Sequence, residues 1–497
     1  NDGGSTITAL TLDMSEAGTA TFGGDIILSN GGGTSPSPKI EFFRQSGVSA
    51  YIKYDVANKI LIIDSDHASG SISHKINGTE KFNIGSDGSA TFAGTVTGTS
   101  FNGITFYTDS TDGSMYTHNV SGNTGYTLAR YNTAYGFTAM DAITTGDSNV
   151  AVGHFAGSGL TSGANNVIVG KDAGSALQTG ANNIAVGYGA MKTADGSESQ
   201  NVAIGVNALE DMNSDENNQN VAVGYRAAAN LTTGIQNTAL GSEAIGDGVV
   251  TGDLNVAVGY NAGKAVTTGA ANTLIGGLAG DALTTGSNNI AIGYQALGSE
   301  VAGPENVAIG YFAMGGTDNA RANVAIGYAA LQNLDYDSLT YSHNIGIGFN
   351  AGNDITTGTF NTIVGGAAGD ALTTGTANVA IGYSALSSED SHNYNVAIGY
   401  RSLATQDAGQ HAYNTAVGSD AGRLISTGTH NTILGALAGD ALTTGSYNVA
   451  LGWGALSTED AHGKNVAIGY NSLVMQDAGA DAYNVAVGYE SGRHLTT

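Results

Sequence analysis

Carboxylates and imidazoles are the side chains here that could bind a metal ion or transfer a proton, because the sequence contains no Cys. The acidic loops 211–216 and 387–390 carry oxygen ligands suited to Ca²⁺, but they lack the regular one-three-five ligand spacing of a calcium loop. The ten His residues, including His343, His392 and His462, stand singly without the His-x-x-x-His spacing of a zinc site. We predict solubilising loops, solvated His side chains and no metal site.

Two glycine-containing segments match nucleotide-binding motifs only in part. Residues 346–351 fit a loose dinucleotide fingerprint, but no strand-helix-strand pattern surrounds them. Lys264 follows Gly263, yet the Ser or Thr and the upstream Gly of a phosphate loop are missing. The sequence therefore predicts no catalytic residue and no cofactor.

Aromatic side chains recur at one position of a repeated motif and could stack on sugar rings. The alternative is a packing ladder at a corner of the fold, where Tyr keeps its hydroxyl in water. These aromatic side chains are Phe137, Tyr188, Tyr225, Tyr260, Tyr294, Tyr311, Tyr328, Phe349, Tyr383, Tyr400, Trp453, Tyr470 and Tyr489.

The elements that must position these side chains are 20 copies of the motif Asn-[Val/Ile/Thr]-x-[Val/Ile/Leu]-Gly, preceded by a weaker copy at Asn132. Most of the 21 are separated by the same interval as Asn289 and Asn306. We number the motif Asn as position 0. Gly then stands at +4 in every copy, the aromatic residues stand at +5, and Ala or Ser stands at +7. The motif Asn residues are 132, 149, 166, 183, 201, 220, 237, 255, 272, 289, 306, 323, 344, 361, 378, 395, 414, 431, 448, 465 and 484.

The repeat predicts an all-β fold, a parallel β-solenoid of about 21 coils. Each motif reads as a short strand ended by Gly, and one 17-residue coil can enclose only a thin core, expected to be Val, Ile, Leu and Ala. Stacked Asn side chains should hydrogen-bond along the solenoid, and the Gly residues should adopt a conformation barred to other residues. Representative ladder residues are Asn149, Gly153, Asn306, Gly310, Asn465 and Gly469. The small residue at +7 should form a flat outer face on which something packs.

Composition excludes several partners. Sixteen basic and 42 acidic residues give a net charge of -26, which disfavours nucleic acid and anionic membrane surfaces. No apolar run of about 20 residues occurs, so membrane insertion is not expected.

The chain before the repeats has a different sequence pattern. Residues 1–105 contain alternating segments such as 39–43 and 59–64, and they predict a small β-rich shaft or attachment module. Residues 106–131 form a junction, and the solenoid covers 132–497. Because residues 495–497 read as a Leu-Thr-Thr-Gly motif without its Gly, we expect the repeats to continue beyond 497.

The repeats resemble two families of surface fibres. Residues 306–310 and 465–469, both Asn-Val-Ala-Ile-Gly, are similar to the head repeats of trimeric autotransporter adhesins. Residues 414–418 and 442–445 are similar to the Asn-Thr-Ala-Val-Gly and Leu-Thr-Thr-Gly repeats of bacteriophage tail fibres. The related segments 18–24 and 88–94 resemble repeated shaft modules of phage tail fibres.

The resemblance implies a left-handed β-roll, an intertwined homotrimer and a role in attachment. We expect a non-enzymatic fibre protein of a bacteriophage virion, with other virion proteins and a host glycan or protein receptor as partners. One alternative is a bacterial surface adhesin of the trimeric autotransporter type. Another is a polysaccharide-degrading tailspike, which would need two carboxylates about 5–10 Å apart in a groove.

Overall fold

The computed structural model describes residues 129–214, 218–409 and 411–496 in full. Before residue 129 it describes the backbone of eight strands. Chain contacts divide the protein into two units, Asn1–Thr99 and Ser100–Thr497. The described residues contain no helix, so none that could cross a membrane.

The first unit contains six described strands in two antiparallel sheets of three strands each. The strands are β1 Lys39–Arg44, β2 Gly47–Asp55, β3 Ile60–Asp64, β4 Ile72–Ile76, β5 Thr79–Ile84 and β6 Ala90–Phe92. The predicted strands at 39–43 and 59–64 coincide with β1 and β3. Of the two related shaft segments, 18–24 lies outside the described residues and 88–94 contains β6.

The second unit is a ladder of parallel three-residue strands, one for each repeat motif. It opens with the antiparallel pair β7 Tyr107–Asp109 and β8 Ser114–Tyr116, and β8 pairs in parallel with the first motif strand. Because β31 pairs only with β30 among the described strands, the ladder is open at that end. A separate parallel pair, β20 Asp318–Arg321 and β22 Asp335–Tyr341, lies beside it.

The ladder strands are β9 Thr133–Tyr135, β10 Val150–Val152, β11 Val167–Val169, β12 Ile184–Val186, β13 Val202–Ile204, β14 Val221–Val223, β15 Thr238–Leu240, β16 Val256–Val258, β17 Thr273–Ile275, β18 Ile290–Ile292, β19 Val307–Ile309, β21 Val324–Ile326, β23 Ile345–Ile347, β24 Thr362–Val364, β25 Val379–Ile381, β26 Val396–Ile398, β27 Thr415–Val417, β28 Thr432–Leu434, β29 Val449–Leu451, β30 Val466–Ile468 and β31 Val485–Val487. Motif pairs with motif in register throughout, as in Val307↔Val324. The parallel β-solenoid of about 21 coils predicted from the sequence is confirmed.

The rest of each coil is a series of tight turns. In the described coils, the residue before the motif Asn has a left-handed backbone even where it is large, as at Phe360 and Tyr394, with φ of +60° and +67°. The +6 residue is also left-handed, as at Phe155 and Arg401. Such conformations cost non-Gly residues free energy, and they persist because the stacked coils above and below fix the backbone.

The core is filled differently from the sequence expectation. The middle strand residue, usually Ala, is buried in every ladder strand, whereas the flanking Val, Ile or Thr at +1 and +3 is half-buried or exposed in the described coils. The +7 residue also faces the interior: Ala313 and Ser402 have no exposed surface. The core contains the expected Ala, Leu and Ile, with Met in addition, but the Val and Ile at +1 and +3 of the motif lie outside it. The prediction of a flat outer Ala face is wrong. Because successive strand residues point to opposite sides, the +2 residue faces inward with the +7 residue, and both pack around Leu, Met or Ile from +8 and +11.

Candidate functional surface

The Asn ladder runs through the solenoid as a continuous chain of hydrogen bonds. Asn149 donates its Nδ2 to the carbonyl of Gly163 at 2.9 Å, and its Oδ1 accepts the backbone N–H of Asn166 at 2.9 Å. Asn306 and Asn465 accept the next motif N–H in the same way, at 3.0 Å and 3.2 Å. Because these amides are buried, each bond also avoids the cost of an unsatisfied polar group.

The Gly column lies against this ladder with φ between +129° and +144°. A Cβ at Gly153 would lie 2.5 Å from the carbonyl oxygen of Gly170, and one at Gly310 or Gly469 would meet the next motif Gly in the same way. Both the backbone conformation and the close approach of the next coil therefore require Gly at +4.

The aromatic residues at +5 form an outer column, here called the corner column. Four stacks occur among the described residues of this column: Phe137–His154, Tyr294–Tyr311–Tyr328–Phe349, Tyr383–Tyr400 and Trp453–Tyr470–Tyr489. Ring centroids within them are 5.1–5.8 Å apart and the rings are nearly parallel. Tyr188 instead has the Lys171 ammonium 5.3 Å from its ring centroid. Tyr225 and Tyr260 are exposed members of the same column.

This stacking limits how the corner column could bind sugars. A ring inside a stack, such as Tyr311, turns both faces toward its neighbours and shows only its edge to solvent. Sugar rings stack on aromatic faces, so only a ring at the end of a stack, or one outside the stacks such as Tyr260, has a face to offer. Glycan stacking stays a prediction and applies to far fewer side chains than the sequence analysis proposed.

A second aromatic column was missed by the sequence analysis. It occupies the position before the motif Asn and includes the contacting pairs and series His343–Phe360 and Tyr394–Tyr413–His430–Tyr447, with Tyr341 at the end of β22 stacking on His343. The Arg321 guanidinium lies 3.7 Å from the ring centroid of Tyr341. The column could have been found from the aromatic residues that directly precede the motif from residue 343 onward.

Between the two columns lies an apolar surface, here called the outward face, made of the +1 and +3 residues of the ladder strands. Val167, Ile290 and Ile326 on it are 39%, 38% and 37% exposed. These values are high for side chains with a strand on either side. A contiguous apolar surface of this kind is typical of a protein interface.

Two clusters of His and carboxylates occupy equivalent loops of the near-duplicate segments 344–413 and 414–483. In the first, potential ligand atoms of Glu389, Asp390, His392 and Asp407 lie within 4.8 Å of one another. From the sequence these residues were predicted to be solvated loop groups. Their grouping is not visible in the sequence because the cluster joins neighbouring coils. Glu389 is fully buried and accepts a hydrogen bond from the backbone N–H of His392 at 3.1 Å.

The second cluster repeats the same side chains. Glu459, Asp460, His462 and Asp477 again lie within 4.8 Å, and Glu459 is fully buried with His462 Nδ1 at 3.2 Å from its Oε1. Burial raises the pKa of Glu389, and its hydrogen bond with His392 opposes that shift. These contacts pair a buried carboxylate with an imidazole, and we assign no metal to them.

A third buried carboxylate, Glu300, has no His beside it. Its Oε1 accepts the backbone N–H groups of Ala302 and Asn319 at 3.1 Å, and its Oε2 accepts that of Ala320 at 3.1 Å. Burial raises the pKa of Glu300, and these hydrogen bonds only partly offset the shift. The residue tethers two coils from within the core.

Comparison with family models, with curated proteins and with solved structures finds no match for this chain.

Proposed function

We propose that this protein is a non-enzymatic structural fibre of a bacteriophage, a tail fibre or related virion appendage, that attaches the virion to its host. The observation that carries the proposal is the 21-strand ladder with its outward apolar face. Such a ladder extends in one dimension, which suits a fibre. The similarity of the repeats to phage fibre repeats supports the same assignment.

Assembly into a homotrimer would cover the outward face. With a strand spacing of about 4.8 Å and about 10 Å for three residues, 21 strands present about 1,000 Å² of mostly apolar surface. Each copy would divide this surface between its two neighbours, and its total exceeds the roughly 800 Å² that one partner buries in a standard interface. A second and third copy of this chain supply the same surface in the same register, so three ladders can pack face to face along a common axis.

The arrangement of the carboxylates favours a fibre over a sugar-cleaving tailspike. A glycosidase needs two carboxyl groups that reach the substrate. Each cluster has one fully buried glutamate, Glu389 or Glu459, whose carboxylate contacts a His and the chain within the coil. Such a group is unsuited to protonating a polysaccharide outside the coil.

Immunogold electron microscopy with an antibody against loop 211–216 tests the proposal. Gold particles on fibres attached to virions, with other virion proteins at the base, are the expected result. Gold on bacterial envelopes without virions would contradict it and identify an adhesin of the autotransporter type.

A further inference from the structure

The corner column is interrupted at several coils, and two of the interruptions are Gly residues between aromatic coils. Val206 and Ser242 also lie between aromatic coils but carry a side chain. At Gly277 and Gly366 the +5 residue has no side chain, while the coils on both sides carry an aromatic ring. Tyr260 and Tyr294 flank Gly277, and Phe349 and Tyr383 flank Gly366. We call these two openings the ring slots.

Each ring slot has the width of one ring. Adjacent rings in the column stand 5.1–5.8 Å apart, so two rings separated by one empty coil are about 10 Å apart. A ring placed between them would lie about 5 Å from each, as far as stacked members of the column lie from each other. A Cβ added at Gly366 would find only the Tyr383 ring, at 3.4 Å and 3.8 Å.

The flanking rings have free faces. Tyr260, Phe349 and Tyr383 are 59%, 58% and 59% exposed, against 46% for Tyr311 inside a stack. Tyr294 is the exception at 45%, and the Phe312 ring packs near it. No other corner position with a Gly lies between two aromatic coils. The slots therefore present the ring faces that the stacked tyrosines conceal.

We propose that the ring slots bind pyranose rings of an uncharged or cationic polysaccharide, each held between two aromatic faces. The C–H-rich faces of a pyranose match aromatic faces on both sides, and the net charge of -26 repels an acidic polymer. The slots lie five coils apart on one column, about 24 Å. A ligand that repeats along its length can occupy both at once and gain avidity.

This inference rests on the proposed attachment function and names the class of receptor. It replaces a stacking surface along the whole column by two defined sites. Replacing the two Gly residues by Tyr fills the slots with the protein's own rings and provides the test. Most coils already carry an aromatic residue at this position. Neither Gly has a left-handed backbone, so Gly277→Tyr and Gly366→Tyr should fold without strain.

The measurement is saturation-transfer NMR from the protein to methyl pyranosides of glucose, galactose, mannose and N-acetylglucosamine. Wild-type protein should transfer saturation to the ring C–H protons of at least one of them. The double variant Gly277→Tyr/Gly366→Tyr should lose about tenfold or more of that transfer while melting at the same or a higher temperature. Ser419→Tyr is the matched control, since it adds a ring to the column beside Ala436 rather than between two rings.

Three results would overturn the inference: no transfer to any pyranoside, equal transfer in the double variant, or equal loss in Ser419→Tyr. A change in native mass of the double variant would also overturn it, because a ring from a second copy would then occupy the slots. Gold labelling of virions tests the fibre assignment separately. Labelled virions without pyranoside transfer would leave that assignment intact and remove only the slots.

Discussion

The segments 344–413 and 414–483 are near-duplicates of four coils each, and they differ on the outside rather than the inside. Interior positions match closely, since Ile355, Leu372, Leu403 and Gln406 of the first segment correspond to Ile425, Leu442, Leu473 and Gln476 of the second. The corner column differs at three of four coils, where Phe349, Gly366 and Tyr383 become Ser419, Ala436 and Trp453.

The comparison separates what the coil requires from what it tolerates. Inside, each side chain packs against the coils above and below, so most interior residues are the same in the two segments, with Gly346 and Ala416 as an exception. Outside, a side chain meets only its column neighbours and solvent. The first segment therefore has a ring slot and the second has none, although both have the same fold.

Substitutions in the Gly column should have the largest effect and should not distinguish the segments. Gly365→Ala and Gly435→Ala both place a Cβ against the next coil's backbone, 2.6 Å from Gly452 O in the second case, at φ of +138°. We expect each to cost several kcal/mol, measured by denaturant unfolding and by proteolysis of the affected coil.

Gly366→Ala is the matched control, one residue further along. Its Cβ would contact only the Tyr383 ring at 3.4 Å, and the second segment already has Ala436 there. We expect a change within about 0.5 kcal/mol. If Gly366→Ala lowered the free energy of unfolding as much as Gly365→Ala, the loss would come from the position in the coil and not from the left-handed backbone.

Core truncation should be the next largest effect and equal in the two segments. Leu403 and Leu473 have no exposed surface and occupy equivalent coils. Changing either to Ala should cost about 2–5 kcal/mol through lost burial and a cavity. Denaturant unfolding of the two variants should agree within about 1 kcal/mol. A larger difference would refute the equivalence of the two interiors.

Glu300 allows a pH test of the buried carboxylates, since it lacks the His that accompanies Glu389 and Glu459. Burial raises its folded-state pKa above the unfolded value, with Asp318 adding to the shift. Its contribution to stability is therefore complete below the unfolded pKa and is lost as pH rises through the folded pKa. The melting temperature of wild type relative to Glu300→Gln should fall as pH rises above the ordinary Glu pKa of 4.5. A difference that rises with pH would contradict the shift.

The smallest effects should come from the corner column. Tyr470 stacks on two rings, Trp453 and Tyr489, whereas Tyr400 stacks on one described ring, Tyr383, and has the Arg401 guanidinium 5.9 Å from its ring centroid. Each ring pair contributes about 0.5–1.5 kcal/mol, so Tyr470→Ala should destabilise more than Tyr400→Ala. Thermal melting of the two variants checks the order, and the reverse order would show that stacking does not stabilise the column.

The architecture could be predicted from the sequence because the repeat period is directly visible in the order of residue types. Asn at 0 and Gly at +4 have no exceptions, and both are explained by one coil's contact with the next. Which side of the strand faces inward was predicted wrongly. Val307 and Ile309 look like core residues by hydrophobicity, but the alternation of the strand turns Ala308 inward and both of them outward.

The candidate surfaces were harder to predict because they depend on contacts between coils. Asp407 joins Glu389 and His392 only when two coils of unequal length, beginning at Asn378 and Asn395, are stacked. The ring slots appear only once the neighbouring rings are known to stack face to face. The missing side chain at Gly277 can then be recognised as an opening between two rings. The sequence alone does not single out this Gly among 76.

The central claim is that the outward face of Val and Ile assembles three copies of the chain. Light scattering of the purified protein at several concentrations tests it most directly. The account predicts a constant native mass of three times 49.8 kDa, and dissociation when Ile290 and Ile326 are both changed to Lys. A stable monomer with this face exposed would contradict it.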